Sequence, residues 1–253
     1  MIFHEFGLEQ EKRIVFFHAS CMTWNMYQET ISILSKQAHI IIPALPGHDL
    51  TRKDDHFTSV EEIAEEVEMW LSSKGYHEID LLYGLSMGGA IAIRLLADRK
   101  IKVRHAVIDG GITPYQLPRL ITRFLAIRDF LMIELGRSNR KFIDLALNPQ
   151  KYPREASDTV YKVIKHFDIR TAWRIFESCN NYSMSDNVLH LNTQMEYWYG
   201  QQEEKDRAWD IAYVKRIFPD TKFREIKQMG HAEYSLLHQN IFTADLLEIM
   251  NKS

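Results

Sequence analysis

Short apolar runs alternate along this 253-residue chain with longer stretches of helical period, and that alternation leaves few folds open. The runs are RIVFF (13 to 17), HIIIP (39 to 43), IDLLYG (79 to 84), VRHAVID (103 to 109), QMEYWYG (194 to 200) and TKFREIK (221 to 227), with IFHEF (2 to 6) as a possible edge strand. Strands and helices in strict rotation predict an α/β fold with a mostly parallel central sheet flanked by helices. In SVEEIAEEVEMWLSSKG, Val60, Ile63, Ala64, Val67 and Leu71 share one stripe, with Ser59 as N-cap and Gly75 at the stop. Residues 88 to 98 are apolar on nearly every face, as expected of a helix pressed onto the sheet.

The rhythm breaks between Pro114 and Leu191, where helical stretches such as PRLITRFLAIRDFLMIELG and ASDTVYKVIKHFDIRTAWRIFESC follow one another without a strand. The alternation then resumes. Residues 1–113 and 192–253 are therefore expected to form one core domain, and 114–191 a helical cap inserted into it. At 45% hydrophobic residues the chain is long enough to bury a sizeable core. A net charge of -3 without like-charge runs gives no reason to expect nucleic acid, and no apolar stretch is long enough to span a membrane. The first residues, MIFHEFGLEQEKRIVFF, lack the basic and apolar regions of an export signal. Cys21 and Cys179 are too few for a disulfide framework or a cysteine metal site, so a reducing cytoplasm is expected.

The residues that point to chemistry begin at YGLSMGGAIA. Gly84-Leu85-Ser86-Met87-Gly88 fits G-x-S-x-G, a pattern the chain's composition would produce by chance about 0.03 times. Its position between a buried strand and a helix gives it mechanical meaning. A serine on so sharp a turn holds its Oγ clear of the sheet, and the helix behind it favours negative charge at its N-terminus. A serine hydroxyl also needs a base, usually a histidine oriented by a carboxylate. His231 follows the last strand in IKQMGHAEYSLLHQ, and MEYWYGQQEEKDR places Glu203, Glu204 and Asp206 in the loop after Gly200. Spacing alone leaves the three acids equal.

Together these residues resemble the α/β-hydrolase superfamily, over most of the chain outside the cap. The order Ser86, acid, His231 is that family's order. VFFHASCMTW supplies His18, with Ala19 where the family commonly has glycine, and PALPGHDL supplies the turn Pro46-Gly47-His48. The resemblance implies Glu203, three residues after Gly200, as the orienting acid, and the backbone N–H groups of Ser20 and Met87 as oxyanion donors. It implies a serine hydrolase that cleaves a small-molecule carboxylic ester or thioester through an acyl-enzyme. No H-E-x-x-H, paired cysteines or Asp-rich loop, and no G-x-G-x-x-G or Walker loop, occurs in the sequence, so no metal and no cofactor are expected. Carbon–carbon bond cleavage or a lyase step on the same fold is one alternative. A cap-closing small-molecule sensor with little turnover is another.

Other residues read more plainly. Cys21 has no adjacent base by motif and is expected to pack; His48 belongs to a scaffold turn; His238 is expected on the helix following His231. Asp109, at the end of AVID, is an alternative acid. Residues 114 to 191 hold twelve Lys or Arg against eight Asp or Glu, including Arg119, Arg123, Arg128, Arg137, Arg140 and Lys141. Solvated helix faces explain that excess, while attraction of an anionic substrate is the sharper alternative. Phe124, Phe130, Met132, Trp173 and Phe176 are candidates for cap core or an acyl pocket.

Overall fold

The computed structural model describes residues 1–114, 118–184 and 191–252, apart from the side chain of Arg119. The chain opens with β1 (Ile2–Phe6) and β2 (Arg13–Phe17), followed by α1 (Gln28–Leu34), β3 (His39–Ala44), α2 (Val60–Ser73), β4 (Glu78–Leu85), α3 (Met87–Asp98) and β5 (Lys102–Asp109). Helices α4 (Arg119–Ser138), α5 (Arg140–Ala146), α6 (Arg154–His166) and α7 (Ile169–Asn181) come next. The remainder is β6 (Gln194–Gly200), α8 (Glu204–Ile217), β7 (Lys222–Ile226), α9 (Glu233–Leu237) and α10 (Gln239–Met250).

The strands form one seven-stranded sheet in the order β1-β3-β2-β4-β5-β6-β7. All neighbours are parallel except β1, which runs antiparallel to β3 and caps that edge. Strand alternation splits the core into two layers. Val15, Phe17, Ile41, Leu82 and Ile108 face α2, α3 and α8, whereas Ile14, Phe16, Ile40, Tyr83 and Val107 face α1 and α10. The apolar stripe of α2 lies wholly in the first layer, and Ser59 caps that helix by accepting from the Glu62 N–H at 3.1 Å.

After β2 the chain moves to β3 on one side, and from β4 onward it moves to the other. The gap between β2 and β4 is thus a topological switch point, where open α/β sheets present a crevice at their strand C-termini. Both Ser86 and the segment beginning at His18 lie at that end.

Two local readings need correction. The stretch from Ala156 to Cys179 is two helices rather than one, because the Asp168 side chain accepts from the Thr171 N–H at 2.6 Å and starts α7 afresh. His238 stands between α9 and α10 in a non-helical conformation, not on the face of a continuous helix.

Candidate active site

Ser86 joins β4 to α3 with φ 55° and ψ -113°, a conformation that costs a non-glycine residue roughly 1–3 kcal/mol. The surroundings hold it there. Its N–H donates to the Asp109 carbonyl at 2.9 Å, and its own carbonyl accepts from Ile112 N–H at 3.2 Å and Ala90 N–H at 3.1 Å. The flanking glycines allow the close crossing. A Cβ on Gly84 would stand 2.4 Å from the Gly88 carbonyl oxygen, and one on Gly88 would stand 2.5 Å from that of Phe17. The start of α3 is therefore pressed against the end of β2. Met87 is the first residue of α3, so its N–H has no intrahelical acceptor, and the carbonyls of Phe17 and His18 lie against the next residue, Gly88.

The last two strands bring histidine and acid together in the same manner. A Cβ on Gly200 would lie 2.5 Å from the Met229 carbonyl oxygen, and the Gln202 N–H donates to that oxygen at 2.9 Å. The end of β6 and the loop after β7 are in backbone contact. Across them, His231 Nδ1 donates to Glu203 Oε2 at 2.6 Å, while Glu203 Oε1 accepts the Gly200 N–H at 2.9 Å. Glu203 ends a short 3-10 turn (Gln201–Glu203) and its side chain is 7% exposed, whereas Glu204 and Asp206 point to solvent from the first turn of α8. Burial pushes the Glu203 carboxyl up. The hydrogen bond and charge of His231, the Gly200 N–H and the Arg207 guanidinium together outweigh burial and hold it below the usual glutamate range. An ionised Glu203 only accepts, so Nδ1 carries the imidazole proton and Nε2 presents its lone pair. The His231 side chain is 42% exposed.

Gly110 links the two halves. A Cβ there would touch the His231 ring at 3.0 Å and Glu203 Oε1 at 3.3 Å, while the neighbouring Asp109 and Ile112 bond the Ser86 backbone. Asp109 does not partner His231. Its carboxylate accepts from the Tyr83 hydroxyl at 2.8 Å, and burial, with a smaller contribution from Glu203, raises its pKa to about 6 against the lowering effects of Tyr83, His231 and Ser235.

Several contributors carry no sequence signal. Arg207 lies 3.7 Å from Glu203 Oε2, donates to the Gly110 carbonyl at 3.3 Å and pairs with the fully buried Asp210 at 3.0 Å. Asp210 in turn accepts from Thr113 N–H and Oγ1, both at 2.8 Å. From the α5–α6 connection, Lys151 pairs with Glu233 at 2.8 Å and the Tyr152 hydroxyl donates to the His231 carbonyl at 3.3 Å. An i, i+4 spacing from Glu203 is the one trace of Arg207 that a sequence displays.

His18 and His48 are buried and neutral, with pKa values lowered by burial to about 4 and about 3. His18 Nδ1 donates to the Ala19 carbonyl at 2.9 Å and Nε2 accepts from Leu45 N–H at 3.2 Å, which ties the turn after β2 to the turn after β3. Burial pushes the Cys21 thiol up to about 11, far from a thiolate. Among the insert's cations, Arg128 pairs with Asp129, Arg137 with Glu134, and Arg140 with Asp144 and Asp158, while Arg123 lies over the Trp173 ring at 5.9 Å. Phe130 packs edge-on against Trp173 at 5.9 Å, whereas Phe124 and Met132 face solvent.

A parallel sheet whose strand ends gather a strained serine, a histidine and a buried carboxylate defines the α/β-hydrolase class. Residues 12–147 match the family described as alpha/beta hydrolase fold, and the chain belongs to it. Solved structures of similar fold include an alpha/beta hydrolase family protein from Desulfitobacterium hafniense, at 18% identity and TM-score 0.79 over 99% of this chain and 100% of the other. MenH from S. aureus aligns at 16% identity and TM-score 0.77, covering 98% and 97%. An esterase from Thermogutta terrifontis aligns at 16% identity and TM-score 0.75, covering 98% and 91%. A search of curated proteins returned no match. Among the described residues, no helix is long and apolar enough to cross a membrane.

Proposed function

We propose that the chain is a serine hydrolase that cleaves a carboxylic ester or thioester of a small molecule through an acyl-enzyme on Ser86. The observation that carries this reading is the 2.6 Å bond from His231 Nδ1 to Glu203, which leaves Nε2 as a base in the loop beside the strained serine turn. His231 takes the Ser86 proton as Oγ attacks the carbonyl carbon, and Glu203 stabilises the resulting imidazolium. The tetrahedral oxyanion is received by the N–H groups of Ser20 and Met87, the second reinforced by the N-terminus of α3. His231 then protonates the leaving alcohol or thiol, and water, deprotonated by the same nitrogen, releases the acid. The insert 114–191 serves as a cap, a reading supported by the contacts of Lys151 and Tyr152 with the His231 loop. The setting is the cytoplasm, consistent with two free cysteines.

The test is rapid labelling by a fluorophosphonate together with a mass shift of an acyl group on Ser86 after exposure to an ester. Ser86→Ala is expected to abolish labelling and to lower kcat on the order of 10⁶, as nucleophile loss does in a triad that acts as a unit. Turnover without a trapped acyl group would favour carbon–carbon cleavage or lyase chemistry. Absence of both labelling and turnover would favour a sensor.

A further inference from the structure

Helix α4 presents an apolar face to water. Of the fifteen large hydrophobic residues exposed among the described ones, seven fall on this single helix. Leu120, Phe124, Ile127, Leu131 and Leu135 form a continuous stripe, with Leu120 85%, Phe124 67% and Leu131 58% exposed, and Ile121 and Met132 border it. The opposite face, through Thr122, Ala126 and Gly136, is buried in the insert, where α4 packs on α7, α5 and α6. Isolated exposed leucines are ordinary, but this is a patch. Taking about 190 Å² for each fully exposed residue, the seven present roughly 750 Å², above the 300–600 Å² of a typical largest patch on a monomer.

We infer that this face is the interface of a two-fold symmetric dimer, in which α4 packs antiparallel against α4 of a second copy. Two observations select that occupant. Doubled by symmetry, the six residues from Leu120 to Met132 would bury roughly 1,300 Å², within the range of a standard stable interface. The spacing from Leu120 to Leu131 is four, three, four, which reads identically from either end. A two-fold axis between residues 125 and 126 therefore sets Leu120 against Leu131 and Phe124 against Ile127, twice over. That is the layer pattern of an antiparallel helix pair. The same register places Arg128 beside the partner's Ile121, so no two cations meet. A lipid surface fits less well, since Arg128 and Arg137 beside the stripe are already paired with Asp129 and Glu134.

Sedimentation equilibrium of the full chain tests the inference. The wild type is expected to dimerise with a micromolar or tighter Kd, and Phe124→Glu to raise that Kd at least about 100-fold. Below the wild-type Kd, where both are monomers, the two should melt at similar temperatures, because in the monomer this side chain projects into solvent. Should Phe124→Glu fail to fold, Leu131→Ser decides in its place. Mixing Phe124→Cys with Ile127→Cys under mild oxidation is expected to give the mixed disulfide in preference to either self-pair. A wild type that stays monomeric to roughly 100 µM overturns the inference, as does a dimer that Phe124→Glu leaves intact. A monomer that pellets with phosphatidylserine vesicles through this face also overturns it, in favour of a lipid surface.

Discussion

Replacing Glu203 by glutamine keeps the volume of the side chain and removes one acceptor. Both carboxylate oxygens are in use, Oε1 on the Gly200 N–H and Oε2 on His231 Nδ1. A glutamine has one oxygen and one amide nitrogen for those two positions. If the nitrogen turns towards Gly200, two donors face each other in a buried site, at about 1–3 kcal/mol for the unpaired group. If it turns towards His231, the imidazole can accept at Nδ1 only by moving its proton to Nε2, and the lone pair that would activate Ser86 is lost. Inverting the tautomer this way in a serine-protease triad lowers kcat about 10⁴-fold, or about 5.5 kcal/mol of barrier. The expected result for Glu203→Gln is a kcat loss of that order on a p-nitrophenyl ester between about pH 6 and 9, with KM changed only a few-fold. The assay should be run beside a thermal melt, since Glu203 also fastens the end of β6. A loss below about tenfold would refute the orienting role and turn attention to Asp109, whose charge also reaches His231.

Asp109 carries a separate, pH-dependent prediction. Its folded pKa is raised from 3.8 to about 6, so the folded state holds the proton more tightly than the unfolded chain. The contribution of Asp109 to stability is then greatest at low pH and falls as pH rises through about 4 to 6, by about 3 kcal/mol for a shift of this size. Asp109→Asn should remove that loss while still accepting from Tyr83, and urea unfolding at pH 4.5 and 7.5, which together span about two-thirds of the fall, would show the same stability change in wild type and variant if the reasoning failed. Glu203 behaves oppositely. With its pKa lowered, its stabilisation is present above the ordinary glutamate value and disappears as pH falls through the folded one. Gly88→Ala drives a methyl group into the Phe17 carbonyl and should cost roughly 1–3 kcal/mol or more by chemical denaturation. Arg207→Gln should lower kcat by about tenfold and shift the pH–rate profile, because it weakens the electrostatic hold on Glu203 and leaves Asp210 buried without its guanidinium; an unchanged profile would make Arg207 purely structural.

The fold was legible because burial on both faces writes the central strands as apolar runs such as HIIIP and IDLLYG, while the partly buried edge strands IFHEF and TKFREIK stood out as short runs bounded by the same alternation, and all seven appear at those places. Ser86 and His231 were legible as motif positions at strand ends. Glu203 was not separable from Glu204 and Asp206 by spacing, since all three are polar residues after one glycine. The backbone decides among them by winding a 3-10 turn that buries only the first. Arg207, Asp210, Lys151 and Tyr152 were hidden for a different reason. Each acts across a gap in sequence, onto Gly110, Thr113, Glu233 and the His231 carbonyl, and no local periodicity records such a meeting. The helical break at Asp168 could have been seen as an N-cap inside an otherwise continuous amphipathic pattern.

The contacts of Lys151 and Tyr152 have a practical meaning for anyone who would exchange the insert for that of a relative. The segment that would be cut out to change substrate preference also grips the backbone that carries His231, the proposed base. A graft that keeps strands and triad but brings a foreign α5–α6 connection would leave Glu233 without its lysine and the His231 carbonyl without its tyrosine. Such a chimera would lose turnover for reasons unrelated to its new pocket. Transplanting selectivity into this scaffold therefore means carrying that pair of side chains along with the helices.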